Sequence, residues 1–505
     1  MRVLLVLPIV LPLAVAGMLL AWPGRAALHR PAGLATNAAV LAVGGVLLAN
    51  TGGGDVIATR IGDWPPGIAI SLAADALSAL LVTTAAAVGL ACGVFAAGAG
   101  DDRRPYLVPL VLMMSAGANG AFLAADLFNL FVLVEVMLVP SYVLLTTGGG
   151  RERVTAGRIY VTVNLLASTI FLAGVGLVYA VAGTVDLAEL AGAAAGSTAL
   201  AIAGAVVLLA LAVKAAVVPL HGWLPRSYPY APPVVTALFS GILTKVGVYA
   251  ILRIVAMLYD GAPAQRWVIG CAAVVTMVVG VLGALGETAM RAVLSFHMVS
   301  QIGYILLGLA LFSPAGLTAA IFFLVQYIVV KAALLLVAGA TVVGYGTDAL
   351  DRLGGLAANH RLLALAFIGA ALSLAGMPPF SGFVGKFLIL QAAAQQAAYP
   401  LLAVAVMVSL GTLVSMIKIW DAAFWGEPPV AARSAAPDQI RTPDQIRTPD
   451  PVRPRIGFQL AAPAVTLAAV TLLLGPAAQP LLDLAAVAAA GLLDPSAYVT
   501  AVTGR

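Results

Sequence analysis

The chain has 505 residues, of which 62% are hydrophobic and only 9% are Asp, Glu, Lys or Arg, against about 25% charged in soluble domains. That composition, with a mean hydropathy of +1.06, excludes a soluble globular enzyme and indicates a polytopic integral membrane protein. The net charge of +5 comes from dispersed arginines without a basic tract carrying interleaved aromatics, so no nucleic-acid partner is expected.

Apolar stretches of about 17 or more residues, enough to cross a bilayer, begin near residues 3, 33, 67, 106, 126, 157, 198, 233, 267, 290, 316, 362, 401 and 457 and predict about fourteen transmembrane helices. They are uniformly apolar rather than alternating, so the fold class is all-α and strands are not expected. In the first stretch Arg2, an apolar run and Ala14-Val15-Ala16 imitate a signal peptide, but the run continues through Leu20 and Trp22 and reads as an uncleaved helix. Three helices fill residues 1–98. Cys92 in the third and Cys271 further on both lie in apolar segments and read as small core residues, too few for a metal framework.

Residues 99–258 hold the fourth to eighth spans. The fifth places Glu135 in the middle of an apolar run, where a carboxylate must be protonated or find a cation. The seventh carries Lys214, Pro219 and His221. Proline removes a backbone donor and clashes with the preceding turn, which predicts a broken helix of the kind tolerated where it lines a cavity. Lys214 and His221 are seven residues apart and share a face where the helix is regular. The eighth span has Lys245 near its centre.

Residues 259–425 hold the ninth to thirteenth spans. The tenth carries His297, Ser300, Gln301 and Tyr304 at helical spacing, one polar stripe on an apolar helix. Histidine there suits a proton relay, while Ser300 and Gln301 serve equally as relay groups or as interhelical hydrogen-bond partners. The eleventh has Lys331 four residues after Tyr327, and the twelfth repeats the ingredients of the seventh in opposite order, with Pro378 and Pro379 preceding Lys386. That mirrored order predicts two inverted five-helix repeats, spans 4–8 and 9–13. Lys418 lies near the end of the thirteenth span and reads as a snorkelling residue. Residues 426–456 contain a tandem Pro-Asp-Gln-Ile-Arg-Thr repeat and predict a disordered cytoplasmic insert. Residues 457–505 hold the last helix and a tail.

If the amino terminus faces outward, the cytoplasmic connections carry sixteen arginines and the outer ones five, among them Arg253. This is the bias of the positive-inside rule, and an even number of spans then places both termini outside a bacterial cell membrane. Against those 21 arginines stand only five lysines, and all five lie inside membrane-length segments. An ammonium at the bilayer centre costs about 2.5–3.5 kcal/mol on insertion scales, so such residues are functional candidates by default. Lysine, unlike arginine, can give up its proton.

Three stretches together resemble the proton-translocating antiporter family: Leu127-Phe-Asn-Leu-Phe-Val-Leu-Val-Glu135 through Tyr142, the run from Lys214 to Lys245-Val-Gly-Val-Tyr249, and Gly376-Met-Pro-Pro-Phe-Ser-Gly-Phe-Val-Gly-Lys386. The family contains membrane subunits of Mrp-type multisubunit cation/proton antiporters and the antiporter-like subunits of respiratory complex I. The resemblance covers nearly the whole chain outside the insert. It implies that Glu135, Lys214, Lys245 and Lys386 form a charged axis across the membrane centre; the intramembrane carboxylate and lysines themselves suggest that protons enter near Pro219 and Pro378-Pro379 and pass between Lys214, Lys245, His297, Lys331 and Lys386. The wording around His221-Gly-Trp-Leu-Pro225 and the lysine at 386 are closest to the Mrp branch, although Arg226 stands where the family more often has an acidic residue. The implied partners are other subunits of a hetero-oligomeric complex, membrane lipid, protons and Na+ or K+. No cofactor is expected on this chain, and it is expected to be a transporter subunit rather than an enzyme. The alternative is a proton-pumping subunit of an NADH:quinone oxidoreductase or membrane hydrogenase.

Overall fold

A computed structural model describes residues 2–22, 26–64, 70–104, 106–426 and 456–504. The repeat-bearing insert therefore lies outside the described residues. The chain is helical almost throughout. In order the helices are α1 (Arg2–Ala21), α2 (Ala26–Thr51), α3 (Ala76–Ala99), α4 (Leu107–Leu123), α5 (Leu127–Thr146), α6 (Arg151–Ala182), α7 (Thr198–Lys214) and the short α8 (Trp223–Ser227). They continue with α9 (Pro233–Tyr259), α10 (Pro263–Gly286), α11 (Met290–Leu311), α12 (Pro314–Tyr345), α13 (Arg361–Ala375), α14 (Ser381–Gln395) and α15 (Tyr399–Trp425). The last are α16 (Phe458–Leu473), α17 (Gln479–Leu493) and α18 (Ser496–Thr503). Among the described residues ten helices are long and apolar enough to cross a membrane, or eleven if α17 and α18, bent by 72°, make one span; α4, α7, α13 and α16 are shorter apolar helices.

Two expectations change here. A hairpin of strands β1 (Ile57–Arg60) and β2 (Ser71–Ala74) precedes α3, with Ile57 opposite Ala74 and Arg60 opposite Ser71. The long connection must satisfy its own backbone polar groups, and pairing with itself does so. The third span accordingly starts at Ala76, capped by the Asp75 carboxylate accepting from the Ser78 amide, rather than near residue 67. The final span is also not one helix with a tail but the three pieces α16, α17 and α18.

The centre of the bundle is α9 and α12, both buried along their whole apolar windows, with α11 nearly so. Small residues let the neighbouring helices approach. A Cβ on Gly280 of α10 would lie 2.6 Å from the Ser300 Cα of α11, and one on Gly303 of α11 would lie 2.7 Å from the Ala273 carbonyl oxygen. Cys92 is buried as expected, whereas Cys271 faces outward from α10.

Alternate connections gather on opposite faces. On one, Arg30 pairs with Asp102 at 2.5 Å, Arg153 donates to the Thr147 and Tyr230 carbonyls, and Arg291 joins Asp348 at 2.9 Å to the Ala231 carbonyl. In this arginine face, burial pushes the Asp101 carboxyl above its ordinary value against the pull of Arg104 and Arg153. On the other, the hairpin face, Leu72 bridges Ala124, Asp126 bridges Asp186, and Arg60 donates to the Val502 and Thr503 carbonyls. The Gly280→Leu variant is expected to force α10 from α11 at a cost of about 1–3 kcal/mol. A lowered melting temperature of the purified protein would show this, with Gly176→Ala, which meets open space, as the unaffected control.

Candidate functional site

The site begins where α7 stops. Pro219 has no amide hydrogen to continue the ladder, Ala216 takes φ 58°, and the Val218–Pro219 peptide is cis. The helix therefore ends at Lys214 and the chain turns through residues 215–222 before α8. Two side-chain bonds hold the break: Trp223 Nε1 donates to the Val213 carbonyl at 2.9 Å, and the Val218 amide donates to Thr276 Oγ1 of α10 at 3.2 Å. His221 consequently does not share a helix face with Lys214. It sits in the connecting turns, close to the Pro219 backbone, with Nδ1 unpartnered among the described residues.

Lys214 is 5% exposed, and its Nζ lies 3.5 Å from Glu135 Oε1 of α5. Between them stands Ser168 of α6. Lys214 Nζ donates to Ser168 Oγ at 2.9 Å, and the Ser168 hydroxyl donates to the same Glu135 oxygen. Removing an ion from water costs several kcal/mol, which only good geometry and further hydrogen bonds offset. Three helices supply that geometry here. The sequence alone does not single out Ser168, although Asn164 and Ser168, four residues apart, form a buried polar pair on otherwise apolar α6.

Lys245 lies in the wholly buried α9, just after a π turn at Phe239–Leu243. A π turn displaces the i→i−4 pattern and frees a carbonyl. Lys245 Nζ takes the Ser240 carbonyl, lies 3.2 Å from Thr244 Oγ1 and sits 4.5 Å from the Tyr327 ring centroid. Lys331, on α12, is fully buried and within electrostatic reach of Lys245, and its Nζ has no hydrogen-bond partner among the described residues.

His297 of α11 continues the series. Its Nε2 lies 2.5 Å from Ser415 Oγ of α15, its Nδ1 is unpartnered among the described residues, and it feels the charges of Lys331, Lys386 and Lys418. The stripe divides as its members differ. Ser300 donates to the Met277 carbonyl at 3.0 Å and ties α11 to α10, whereas neither amide atom of the fully buried Gln301 has a partner among the described residues. Tyr304 donates to the Ala405 carbonyl and presents its ring 4.7 Å from Lys386 Nζ.

The second break lies between α13 and α14, at Gly376 (φ 85°) and the cis Pro378–Pro379 peptide. Lys386 of α14 reaches back across it. Its Nζ donates to the Leu374 carbonyl at 2.8 Å, the Ala375 carbonyl at 3.3 Å and Ser409 Oγ at 3.2 Å. The last carbonyls of a helix carry the negative end of its dipole, so α13 supplies here what Glu135 supplies at the first break. Among the described residues Lys386 has no carboxylate within ion-pair distance.

Lys418 is a different case. Its ammonium does not simply reach for water but donates to the carbonyls of Ala284, Leu285 and Glu287, closing the end of α10.

Lys214, Lys245, Lys331, His297 and Lys386 are all buried, Glu135 stands partly exposed beside Lys214, and His221 lies in the turns of the first break. These groups can hold, accept and release protons away from lipid. A family model described as NADH:quinone oxidoreductase/Mrp antiporter, transmembrane, matches residues 124–412. The chain is 37% identical to the D-type subunit of the Na+/H+ antiporter of Alkalihalophilus pseudofirmus, covering 99% of both chains. Among solved structures it resembles a chain in the Mrp complex from Dietzia sp. DQ12-45-1b, with 46% identity, TM-score 0.94 and complete coverage of both chains. It also resembles a chain in respiratory complex I from Thermus thermophilus, with 25% identity, TM-score 0.78 and coverage of 97% and 99%. The Lys418→Met variant is expected to lower the thermal stability of the purified protein by about 1–2 kcal/mol, through loss of charge-assisted bonds at the end of α10, and Lys418→Arg is expected to retain most of it.

Proposed function

The chain belongs to the NADH:quinone oxidoreductase/Mrp antiporter family, and from that membership we propose that it is the proton-conducting subunit of a multisubunit monovalent cation/proton antiporter. Its partners are the other membrane subunits of that complex and the surrounding lipid, and its cargo is protons exchanged for Na+ or K+. On this reading the chain is a transporter subunit and not an enzyme. The near-complete match to the Alkalihalophilus pseudofirmus relative and to the Mrp complex chain supports it. The weaker likeness to complex I supports a common proton-moving core more than a redox role.

The single observation that carries the mechanism is the Glu135–Ser168–Lys214 contact at the first break. While the pair is closed, Glu135 holds Lys214 in its charged form. When it opens, the Lys214 proton passes inward to Lys245, then to Lys331, His297 and Lys386. Protons enter and leave at the breaks around Pro219 and Pro378-Pro379, with His221 at the mouth of the first. Buried polar atoms ordinarily have partners, so the unpartnered atoms of Lys331, His297 and Gln301 are where water would complete the path. Proton entry driven by the membrane potential powers cation export, each elementary charge being worth about 2.3 kcal/mol per 100 mV.

The same reading counts fourteen spans by treating α7 with α8 and α13 with α14 as broken spans and α16 to α18 as the last. Helices α4 to α9 and α10 to α15 then form two inverted repeats within 99–258 and 259–425, between the three N-terminal helices of 1–98 and the C-terminal segment 457–505. The mirrored breaks support this. The protein lies in a bacterial cell membrane with both termini, and so the hairpin face, outside. Residues 426–456 form a cytoplasmic insert.

Two measurements test the mechanism in everted vesicles carrying the complete complex, by following cation-dependent dissipation of a pH gradient with Na+ and with K+. Glu135→Ala and Lys214→Ala are expected to abolish exchange while the complex still assembles, and wild-type exchange in both would overturn the reading. Ser168→Ala removes hydroxyl hydrogen bonds to charged groups, each worth about 1.5–3 kcal/mol, and is expected to slow exchange by about tenfold, with Ser168→Thr recovering most of the rate.

A further inference from the structure

Among the described residues one arginine is fully buried near these lysines. Arg253 lies eight residues past Lys245, about two turns along the same face of α9, with Tyr249 between them. Counted by alternation with the connection on the hairpin face, it is instead 1% exposed. Its Nη2 lies 2.7 Å from Asp75 Oδ2, and the guanidinium packs over the Tyr249 and Tyr498 rings at 5.5 and 4.9 Å. The same nitrogen reaches Ser78 Oγ at 3.4 Å and Tyr249 Oη at 3.5 Å, those two hydroxyls are 3.1 Å apart, and Tyr249 donates to the Phe122 carbonyl at 2.8 Å. Arg253 Nε and Nη1 have no protein partner among the described residues. Toward the hairpin face a cavity of about 20 Å³ adjoins the pair, lined among others by Asp75, Asp494 and Tyr498, and has room for roughly one water.

Lys245, Tyr249 and Arg253 therefore follow one another at helical spacing on α9, with a water-sized cavity beside the Arg253–Asp75 pair, and the base at that end is of a different chemical kind. Lysine can lose its proton in a dry site; arginine remains charged throughout. A guanidinium has five donors and no acceptor, so it cannot receive a proton in any hydrogen-bonded chain. Asp75 offsets the cost of burying it without giving it a lone pair.

We propose that Arg253, held by Asp75 and the two tyrosine rings, is a fixed-charge stopper that closes the proton file at the hairpin end of α9. A proton on Lys245 is thereby directed to Lys331 instead of escaping beside α9. A fixed positive charge excludes protons and cations from a narrow polar path in the same way in other pores. The inference rests on the proton-file reading above.

The test uses vesicles containing the complete complex, with an imposed pH gradient followed by a pH-sensitive dye in the absence of Na+ and K+. The double variant Arg253→Gln/Asp75→Asn removes both charges and leaves neither unpaired, and it is expected to collapse the gradient at least about tenfold faster than wild type. Arg253→Lys keeps the charge and the pair, guards against a folding defect in the double variant, and is also expected to leak because lysine can hand on a proton. Wild-type tightness in either variant, once assembled, overturns the proposal. Adding Lys245→Ala to a leaking variant is expected to restore tightness, and a leak that persists would overturn the link to the file. Failure of the file itself would show separately, as wild-type exchange in Glu135→Ala and Lys214→Ala.

Discussion

An ammonium group withdrawn from water needs an oxygen or an aromatic face within reach, and a helical bundle offers backbone oxygens only where its own hydrogen-bond ladder is interrupted. Lys214, Lys245, Lys386 and Lys418 answer that constraint together with the helix irregularities, whereas the Lys331 Nζ has no hydrogen-bond partner among the described residues. Lys245 takes a carbonyl freed by the π turn, Lys386 takes the last carbonyls of α13 at the second break, and Lys418 takes those of α10. Lys214 ends the helix that breaks beneath it and finds a carboxylate and a hydroxyl. Each interruption would be costly in lipid if left unfilled, and each ammonium would be costly if left unmet.

The two breaks meet the requirement differently, which bears on how charge can move between them. At the first, the partner of the lysine is a full carboxylate on a separate helix. At the second, the partners are backbone carbonyls and Ser409, fixed in place by α13 and α15. The first break thus meets its lysine with a side-chain charge and the second with backbone dipoles. Between them Lys245, Lys331 and His297 lie in the most deeply buried helices, α9, α12 and α11, where electrostatic coupling between neighbours is strongest.

Much of this was legible in the residues. A lone Glu135 in an apolar span, lysines at membrane depth and prolines beside two of them pointed to the charged groups inside the bundle and to its two helix breaks, because such residues are too costly to sit there by chance. Other parts left little trace. Ser168 is one serine among many, and its bond to Glu135 depends on how α5, α6 and α7 are arranged. A regular helix would put His221 on the face of Lys214, and Pro219 prevents that helix from forming. Lys418 and Arg253 lie near span ends, where water is an equally good partner by position, yet both are turned onto protein groups. The hairpin, too, follows from a connection's need to bond its own backbone, which no apolar periodicity records.

Composition and spacing by themselves determined the helical membrane class, the approximate spans, the broken helices and which side chains are suited to carrying protons. These are properties of residues against a solvent, and the bilayer acts on each residue almost independently of its neighbours. Only the tertiary structure decided which acceptor each charge uses, which of the stripe residues serve packing, and that Arg253 is turned onto Asp75. Those are relations between helices far apart in sequence, set by close approach at glycines such as Gly280 and Gly303 and by the few angstroms over which a hydrogen bond acts.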